Sequence, residues 1–155
     1  MLTFWENTLI RKAVGAIVSY GLRFMIVHKV KINAEGGKKN IQGEWDFVKG
    51  GVEDNEDLKR AMSRGLAEET GSSSYEFIKQ FDEKIRFDFP PVLREKIGYA
   101  RQETVMFHVE FVGDPSCLMP LDNEIEQIIF VGKKDVLKKL THSDTKEFFK
   151  KYFFS

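Results

Sequence analysis

The residues from Gly50 to Gly71 constrain the fold more than any other part of this chain, because they read as a glycine turn, an amphipathic helix and a glycine stop. Apolar or small side chains recur there at i, i+3, i+4, i+7 and i+8, a spacing that gives a helix one face for a core. They are Leu58, Ala61, Met62, Gly65 and Leu66. Asp54 or Asn55 can cap the start, and Gly71 can adopt the left-handed conformation that ends a helix. The sequence therefore predicts a helix over Glu56–Thr70.

Two acids stand at the end of this predicted helix. At about 100° per residue, Glu69 falls on the apolar stripe and Glu68 on its flank. A carboxylate that points at a core is costly unless it is paired or bound to a metal. A solvated helix C-terminus explains these acids poorly, because negative charge there opposes the helix dipole. The pattern therefore favours metal-binding carboxylates.

The same stretch resembles the Nudix box, G-x5-E-x7-R-E-U-x-E-E-x-G-U, in which U is a bulky apolar residue. The matching positions are Gly50, Glu56, Arg64, Leu66, Glu68, Glu69 and Gly71. The box spans residues 50–72, and the chain is identified as a member of the Nudix superfamily. Three further segments are similar to diadenosine tetraphosphate hydrolases and RNA 5′-pyrophosphohydrolases: Trp45–Gly51, Phe87–Pro90 and Tyr99–Phe111. The resemblance implies an α+β fold, an α/β/α sandwich with a mixed β-sheet between helices.

For function, the resemblance implies a metal-dependent pyrophosphohydrolase. Water would attack a phosphoanhydride of a dinucleoside polyphosphate or of a 5′-triphosphorylated nucleotide or RNA. The implied cofactor is Mg²⁺ or Mn²⁺, which prefer oxygen ligands. The implied ligands are Glu68, Glu69, the carbonyl of Gly50, and Glu124 from a loop, with Glu126 as the alternative to Glu124. Arg64 and Glu56 would complete the catalytic set by supporting these acids.

Four residues are candidates for substrate contacts: Lys49, Lys96, Tyr99 and Arg101. Lys49 adjoins the glycine turn, and the other three lie in a predicted basic loop. For these three, an ordinary exposed loop is an equally good interpretation.

Gly65 departs from the box, because the family has a metal-ligand glutamate at this position. Three accounts are open. Another acid takes over, with Glu53, Glu56, Glu103 and Glu124 as the candidates. The protein is instead a catalytically impaired nucleotide-binding or interaction module. Or the glycine is a change in this copy of an otherwise active enzyme.

The composition bounds the class of protein. A chain of 155 residues fits one domain, 1–155, with residues 1–11 as an N-terminal extension. The formal net charge is zero, so any phosphate-binding charge is local and a general affinity for DNA is not expected. The single cysteine, Cys117, excludes an internal disulfide and fits the cytoplasm. No apolar run is long enough for a membrane span. The expected partner is a nucleotide, a dinucleotide or an RNA 5′ end, and the expected state is a monomer or homodimer.

The rest of the chain predicts strands, loops and two terminal helices. The predicted strands are Lys12–Tyr20, Leu22–Val30, Gly43–Val48, Tyr75–Phe81, Lys84–Phe89, Gln102–Val112 and Glu126–Val131. The predicted helices are Lys133–Leu140 and Ser143–Phe153, and the predicted loops are Asn33–Asn40, Pro90–Arg101 and Gly113–Asn123. Aromatic residues in short strands favour core positions for Trp45 and Phe47. The aromatic set Phe148, Phe149, Tyr152 and Phe153 indicates a packing face, or a dimer contact if it is exposed.

Overall fold

A computed structural model of the protein describes residues 9–34 and 37–154, without the side chains of residues 32–34, 39 and 96. The strands are β1 (Ile10–Tyr20), β2 (Arg23–Ala34), β3 (Gly37–Asp46), β4 (Val48–Gly51), β5 (Tyr75–Asp88), β6 (Arg101–Phe111) and β7 (Ile125–Gly132). The helices are α1 (Leu58–Thr70), α2 (Pro91–Ile97), α3 (Lys133–Lys139) and α4 (Ser143–Phe153). Most of the predicted extension, residues 1–8, lies outside the described residues. Among the described helices, none combines the length and apolar content that crossing a bilayer requires.

The strands form one mixed sheet, in the order β3-β2-β1-β6-β5, with β4 on β1 and β7 on β2. The β1–β6 pair is parallel, and the other pairs are antiparallel. The central β1 strand is buried over most of its length, as a strand covered on both faces must be.

Hydrophobic cores lie on both faces of the sheet, and β1 contributes to each because alternate side chains point to opposite faces. On one face, Val14, Ala16 and Val18 pack with Leu66 and other residues of α1. On the other face, residues of β1, β2 and β6 pack with α3 and α4; they include Ile17, Phe24, Met106, Val136, Leu140, Phe148 and Phe149. This arrangement confirms the predicted α/β/α sandwich.

The aromatic predictions are confirmed in the second core. Phe47 is fully buried, and Trp45 packs at the edge of the same cluster. Phe149 stacks on Phe153, and Phe81 packs edge-on against Phe148. The C-terminal aromatic set is therefore a packing face.

Both ends of α1 are capped, but the residue that caps the start is not one of the two predicted. Asp57 caps the helix, since its Oδ1 accepts a hydrogen bond of 2.9 Å from the Arg60 N–H. The prediction that Asp54 or Asn55 would cap it is wrong, because Asn55 lies in the preceding turn with φ at 61°. Gly71 ends the helix in the left-handed conformation with φ at 74°, as predicted.

Three segments differ from the predicted secondary structure. The predicted loop Asn33–Asn40 is largely strand, because Asn33 and Ala34 end β2, residues 37–40 begin β3, and the two strands pair in a long hairpin. β5 is continuous, because the predicted break at Asp82-Glu83 is absorbed by a register shift between Gln80 and Lys84. Within the predicted loop 90–101, α2 forms with Pro91 in its first turn and Gly98 as a left-handed cap.

Candidate functional site

A cavity of about 640 Å³ lies beside α1, where β2, β3, β4, β5, β6, the loop before β7 and the start of α4 also contribute side chains. Its walls differ in chemistry. One wall is charged and includes Glu69 and Glu124 together with Lys29 and Lys38. A second group of lining residues, called here the apolar wall, consists of Ile85, Phe87, Phe89, Leu93 and Ile97. A cavity of this kind fits a ligand with one highly charged part and one apolar part.

The side chain of Glu69 is the buried acid of the charged wall. It is 6% exposed, as its place on the apolar stripe predicted. Among the described residues, no hydrogen-bond donor reaches its Oε2 atom. Burial raises the pKa of Glu69 to about 8; nearby acids, chiefly Asp122 and Glu124, add to the rise, and Lys29 opposes it. An unpartnered buried carboxyl is rare in a folded protein and calls for a ligand or a proton.

Two acids from the loop before β7 lie beside Glu69. Glu69, Asp122 and Glu124 each offer a carboxylate oxygen, and these oxygens lie within 4.8 Å of one another. The Nζ atom of Lys38 lies 3.6 Å from Glu124 and offsets part of this negative charge. Three oxygens at this separation suit a hard divalent cation, so these residues fit the ion that the family resemblance implies.

Backbone hydrogen bonds hold this loop against the rest of the site. The Met119 N–H donates to the carbonyl of Thr70 at 3.1 Å, next to Glu69 in the chain. The Val30 N–H donates to the carbonyl of Glu124 at 2.8 Å. The last turn of α1, β2 and the loop are therefore tied together, which explains why acids distant in sequence meet.

Arg64 organises the other charged group of α1. Its Nε and Nη2 atoms donate to the two carboxylate oxygens of Glu56 at 2.8 and 2.9 Å. Nη2 also donates to the carbonyl of Gly51 at 2.9 Å, which ties the helix to the glycine turn. Hydrogen bonding from Arg64, followed by a backbone N–H from Glu53, lowers the pKa of Glu56 to about 2. These hydrogen bonds tie Glu56, Arg64 and the glycine turn together, and the supporting roles of Arg64 and Glu56 stay predictions.

The remaining positions of the predicted metal site line the same cavity. Glu68 is 59% exposed and lies 3.3 Å from Arg64 Nη1, outside the group formed by Glu69, Asp122 and Glu124. Gly50 and Gly65 also line the cavity. A Cβ atom at either glycine would meet no atom within 4 Å among the described residues. Glu126, the alternative to Glu124, is exposed and lies 3.7 Å from His28.

The predicted substrate contacts are dispersed. Lys49 lines the cavity, but its Nζ is held by Asp46 at 3.2 Å and by Thr145 Oγ1 at 3.1 Å. Arg101 donates to Asp88 at 2.8 Å, and neither Arg101 nor Tyr99 is among the described residues that line the cavity. The side chain of Lys96 lies outside the described residues. Substrate roles for these four residues stay predictions.

The residues that sequence analysis missed come from separated parts of the chain. Asp122 is the missed residue that the sequence came nearest to indicating, since it lies two residues before the predicted ligand Glu124. Arg11 donates to Gln102 at 2.7 Å on the cavity wall, where parallel strands bring them together. His142 lies 2.9 Å from Glu44, and both also line the cavity. No local pattern links either of these two pairs.

Comparison with known proteins gives concordant results. The NUDIX domain family matches residues 9–152. RNA pyrophosphohydrolase of Caulobacter vibrioides is 40% identical over 87 residues, which cover 53% of this chain and 51% of that protein. RNA pyrophosphohydrolase of a Nitratiruptor species is 30% identical over 124 residues, covering 74% of this chain and 79% of the relative. The chain thus spans about half the length of the Caulobacter relative and more of the Nitratiruptor one.

Solved structures show the same fold. A C. elegans Ap4A hydrolase binary complex superposes with a TM-score of 0.68 at 14% identity, over 92% of this chain and 94% of that chain. The MutT protein of Methanosarcina mazei Go1 gives a TM-score of 0.67 at 17% identity, with 93% of each chain covered. Identities this low establish the architecture alone.

Proposed function

Because the chain belongs to the NUDIX domain family, we propose that it is a divalent-metal-dependent pyrophosphohydrolase acting on a nucleoside polyphosphate. The observation that carries the proposal is the buried, unpartnered carboxylate of Glu69 beside Asp122 and Glu124 in a cavity of about 640 Å³. The names of the relatives from Caulobacter and Nitratiruptor favour a 5′-triphosphorylated RNA end as the first substrate to test. A dinucleoside polyphosphate is the second.

The proposed ion, Mg²⁺ or Mn²⁺, would be held by Glu69 and Glu124, with Glu68 and the carbonyl of Gly50 as further ligands. When bound, such an ion neutralises phosphate charge and lowers the pKa of a bound water. The proposal is supported by the fit of oxygen ligands around a carboxylate that otherwise stays unpaired.

The other charged residues of the site have fixed positions that suit supporting roles. Arg64 holds Glu56 and the carbonyl of Gly51, so the glycine turn keeps a defined distance from α1. Lys49 and Lys29 flank the buried Asp46, with Nζ atoms 3.2 and 3.7 Å from its carboxylate. Burial alone would raise the pKa of Asp46, but these lysines hold it below its ordinary value. Asp46 therefore stays charged, and the two lysines keep a fixed place beside the cavity.

The two walls of the cavity suit the two parts of the proposed substrate. The charged wall would take the phosphates, because Lys38 and Arg11 line the cavity and offer positive charge to them. The apolar wall would take the nucleoside part, because Phe87 and Phe89 offer aromatic rings against which a base can pack. This division requires a substrate that carries both chemistries.

The test is hydrolysis by the purified chain with Mg²⁺ or Mn²⁺, across triphosphorylated RNA, dinucleoside tetraphosphates, nucleoside triphosphates and nucleotide sugars. We expect metal-dependent release of pyrophosphate or a mononucleotide, which EDTA and Glu69→Gln abolish. Glu76→Gln is the matched control, because Glu76 is an exposed acid on β5 that does not line the cavity. Ligand-induced stabilisation without turnover on any substrate would contradict the proposal and favour a nucleotide-binding module.

A further inference from the structure

The loop before β7 carries an acid that neither the sequence pattern nor the family match assigns to the site. Asp122 and Glu124 lie beside Glu69, with carboxylate oxygens of the three within 4.8 Å of one another. Glu69 is almost fully buried, and its Oε2 has no hydrogen-bond donor among the described residues. A buried carboxyl with an unpartnered oxygen, placed beside two further carboxylates, is stabilised by taking up a proton or a cation.

Asp122 is held in place before any ligand arrives. Its Oδ1 accepts a hydrogen bond of 3.0 Å from the N–H of Glu124. That bond leaves the second oxygen of the carboxylate free to serve as a ligand. The loop itself is tied to the last turn of α1 through Met119 and to β2 through Val30. The carboxylate of Asp122 is therefore preorganised by hydrogen bonds and is not a freely moving surface side chain.

Of the four acids considered as replacements for the carboxylate at position 65, Glu124 is already proposed as a ligand, and the other three lie beside cations. Glu56 accepts two hydrogen bonds from Arg64. Glu103 lies 3.2 Å from Arg86 and 3.7 Å from Lys84. Glu53 is 72% exposed and faces Arg64 at 3.9 Å.

Asp122 differs from these three acids. Among the described side chains, which do not include those of Lys39 and Lys96, no lysine, arginine or histidine forms an ion pair with it.

Position 65 supplies the complementary observation. Gly65 lies one turn before Glu69 on α1 and lines the same cavity as Asp122. A Cβ atom there would meet nothing within 4 Å of the described structure. The helix thus presents open space where a side chain could reach the cavity, and the loop presents an acid.

From these observations we propose that Asp122 is a ligand of the divalent cation and supplies the carboxylate that Gly65 does not. The proposal rests on the proposed function, because it assigns a ligand to the same ion. In this arrangement, one carboxylate ligand lies on the loop before β7 and not at position 65 of α1. Binding of the ion therefore depends on the contact between this loop and the end of α1.

The test is Mn²⁺ affinity of the full chain, measured by isothermal titration calorimetry without substrate. Asp122→Asn keeps the oxygen that accepts from Glu124 but removes the charge, and we expect it to weaken Mn²⁺ binding by about tenfold or more. Asp114→Asn is the matched control, because Asp114 Oδ1 accepts from the Ser116 N–H at 2.9 Å in the same geometry and lies outside the cavity lining. It should bind Mn²⁺ like the wild type.

A second variant tests whether a carboxylate on the helix at position 65 can replace the carboxylate of Asp122 on the loop. Gly65→Glu in the Asp122→Asn background should recover most of the lost Mn²⁺ affinity, because the open space at position 65 accepts the side chain. Circular dichroism before each titration checks that every variant is folded. A folded double variant that recovers nothing would overturn the exchange.

The outcomes separate this inference from the proposed function. Unchanged Mn²⁺ affinity in Asp122→Asn, with binding lost in Glu69→Gln, would overturn the role of Asp122 while leaving metal-dependent hydrolysis in place. A wild type that binds Mn²⁺ through Asp122 but hydrolyses no phosphoanhydride would support this ligand and overturn the proposed function instead.

Discussion

Two acidic groups, one just before helix α1 and one at its end, differ in whether their carboxylates have partners. At its start, Glu56 receives two hydrogen bonds from Arg64, and its pKa falls to about 2. At its end, Glu69 lies beside Asp122 and Glu124, one of its oxygens has no donor among the described residues, and its pKa rises to about 8. The pKa values of the glutamates at the two ends of α1 are thus shifted in opposite directions. The carboxylate of the first group is paired by the chain itself, whereas that of the second takes up a proton or, as we propose, a divalent cation.

The cause of the difference is the identity of the neighbours. Arg64 offers a rigid fork of donors that matches a carboxylate. Glu69 is buried beside the acids Asp122 and Glu124, and Lys29 opposes their effect on its pKa. The place of Glu69 in the last turn of α1 adds the unfavourable end of the helix dipole. The Arg64–Glu56 pair therefore ties α1 to the glycine turn, whereas the Glu69 group is the one that we propose binds the ion.

The largest effect on activity is expected from neutralising Glu69. If the Glu69 group serves the ion, Glu69→Gln should lower kcat by about 100-fold or more, since even residues that only orient metal ligands account for about 10- to 100-fold. Steady-state hydrolysis of triphosphorylated RNA at saturating Mg²⁺ measures this. Far-ultraviolet circular dichroism should stay unchanged, and activity close to that of the wild type would remove Glu69 from the site.

The next prediction concerns the ion-free protein as a function of pH. The pKa of Glu69 rises to about 8 in the folded state, above its ordinary value, so the folded protein holds a proton that the unfolded chain releases. The wild type should therefore lose stability as pH rises from about 4.5 to about 8, and should lose no more from this group above that range. In EDTA at pH 8, we expect the Tm of Glu69→Gln to exceed that of the wild type by about 5 °C.

This difference in Tm should shrink toward zero near pH 4.5, where both chains carry a neutral side chain at position 69. Saturating Mn²⁺ should reverse the order at pH 8, because a ligand that binds only the folded state stabilises it. Differential scanning calorimetry at several pH values gives all of these comparisons. A Tm difference that is independent of pH would mean that Glu69 is not held neutral by its surroundings.

The third prediction concerns the pair formed by Arg64 and Glu56. Arg64→Lys keeps the charge but loses the planar fork that binds Glu56 and the carbonyl of Gly51 together. We expect Tm to fall by about 3 °C, with the same decrease in EDTA and in Mn²⁺. Arg60→Lys is the matched control, because Arg60 is an exposed arginine on the same helix. A decrease that appears only with Mn²⁺ would instead assign Arg64 to the ion site.

The sequence was sufficient for the parts of this comparison that depend on local periodicity. A repeat near 3.6 residues placed Glu69 on the buried face of α1, and Gly71 marked the end of the helix, because both signals lie within one segment. The position of the cap is harder to read from sequence, since Asp54, Asn55 and Asp57 have side chains with similar chemistry. Only the path of the preceding turn decides among them.

The parts that could not be predicted depend on tertiary contacts. Asp122 reaches Glu69 because a loop with no periodic pattern bonds to the carbonyl of Thr70. The polar strand Gly37–Asp46 brings Lys38 to Glu124, although its composition is typical of a loop. Its pairing with β2 overrides the weak strand preference of these residues.

Glu68 provides the smallest and sharpest test, because it lies between the two groups. Its side chain is 59% exposed and lies 3.3 Å from Arg64, yet we propose it as a metal ligand. An exposed ion pair contributes little to stability, so Glu68→Gln should change the free energy of unfolding in EDTA by no more than about 0.5 kcal/mol. The same variant should weaken Mn²⁺ binding by about tenfold if its carboxylate turns from Arg64 to the ion. Urea unfolding and calorimetric titration measure the two quantities. Unchanged Mn²⁺ affinity would assign Glu68 to the Arg64 group and leave Glu69, Asp122 and Glu124 as the acidic ligands.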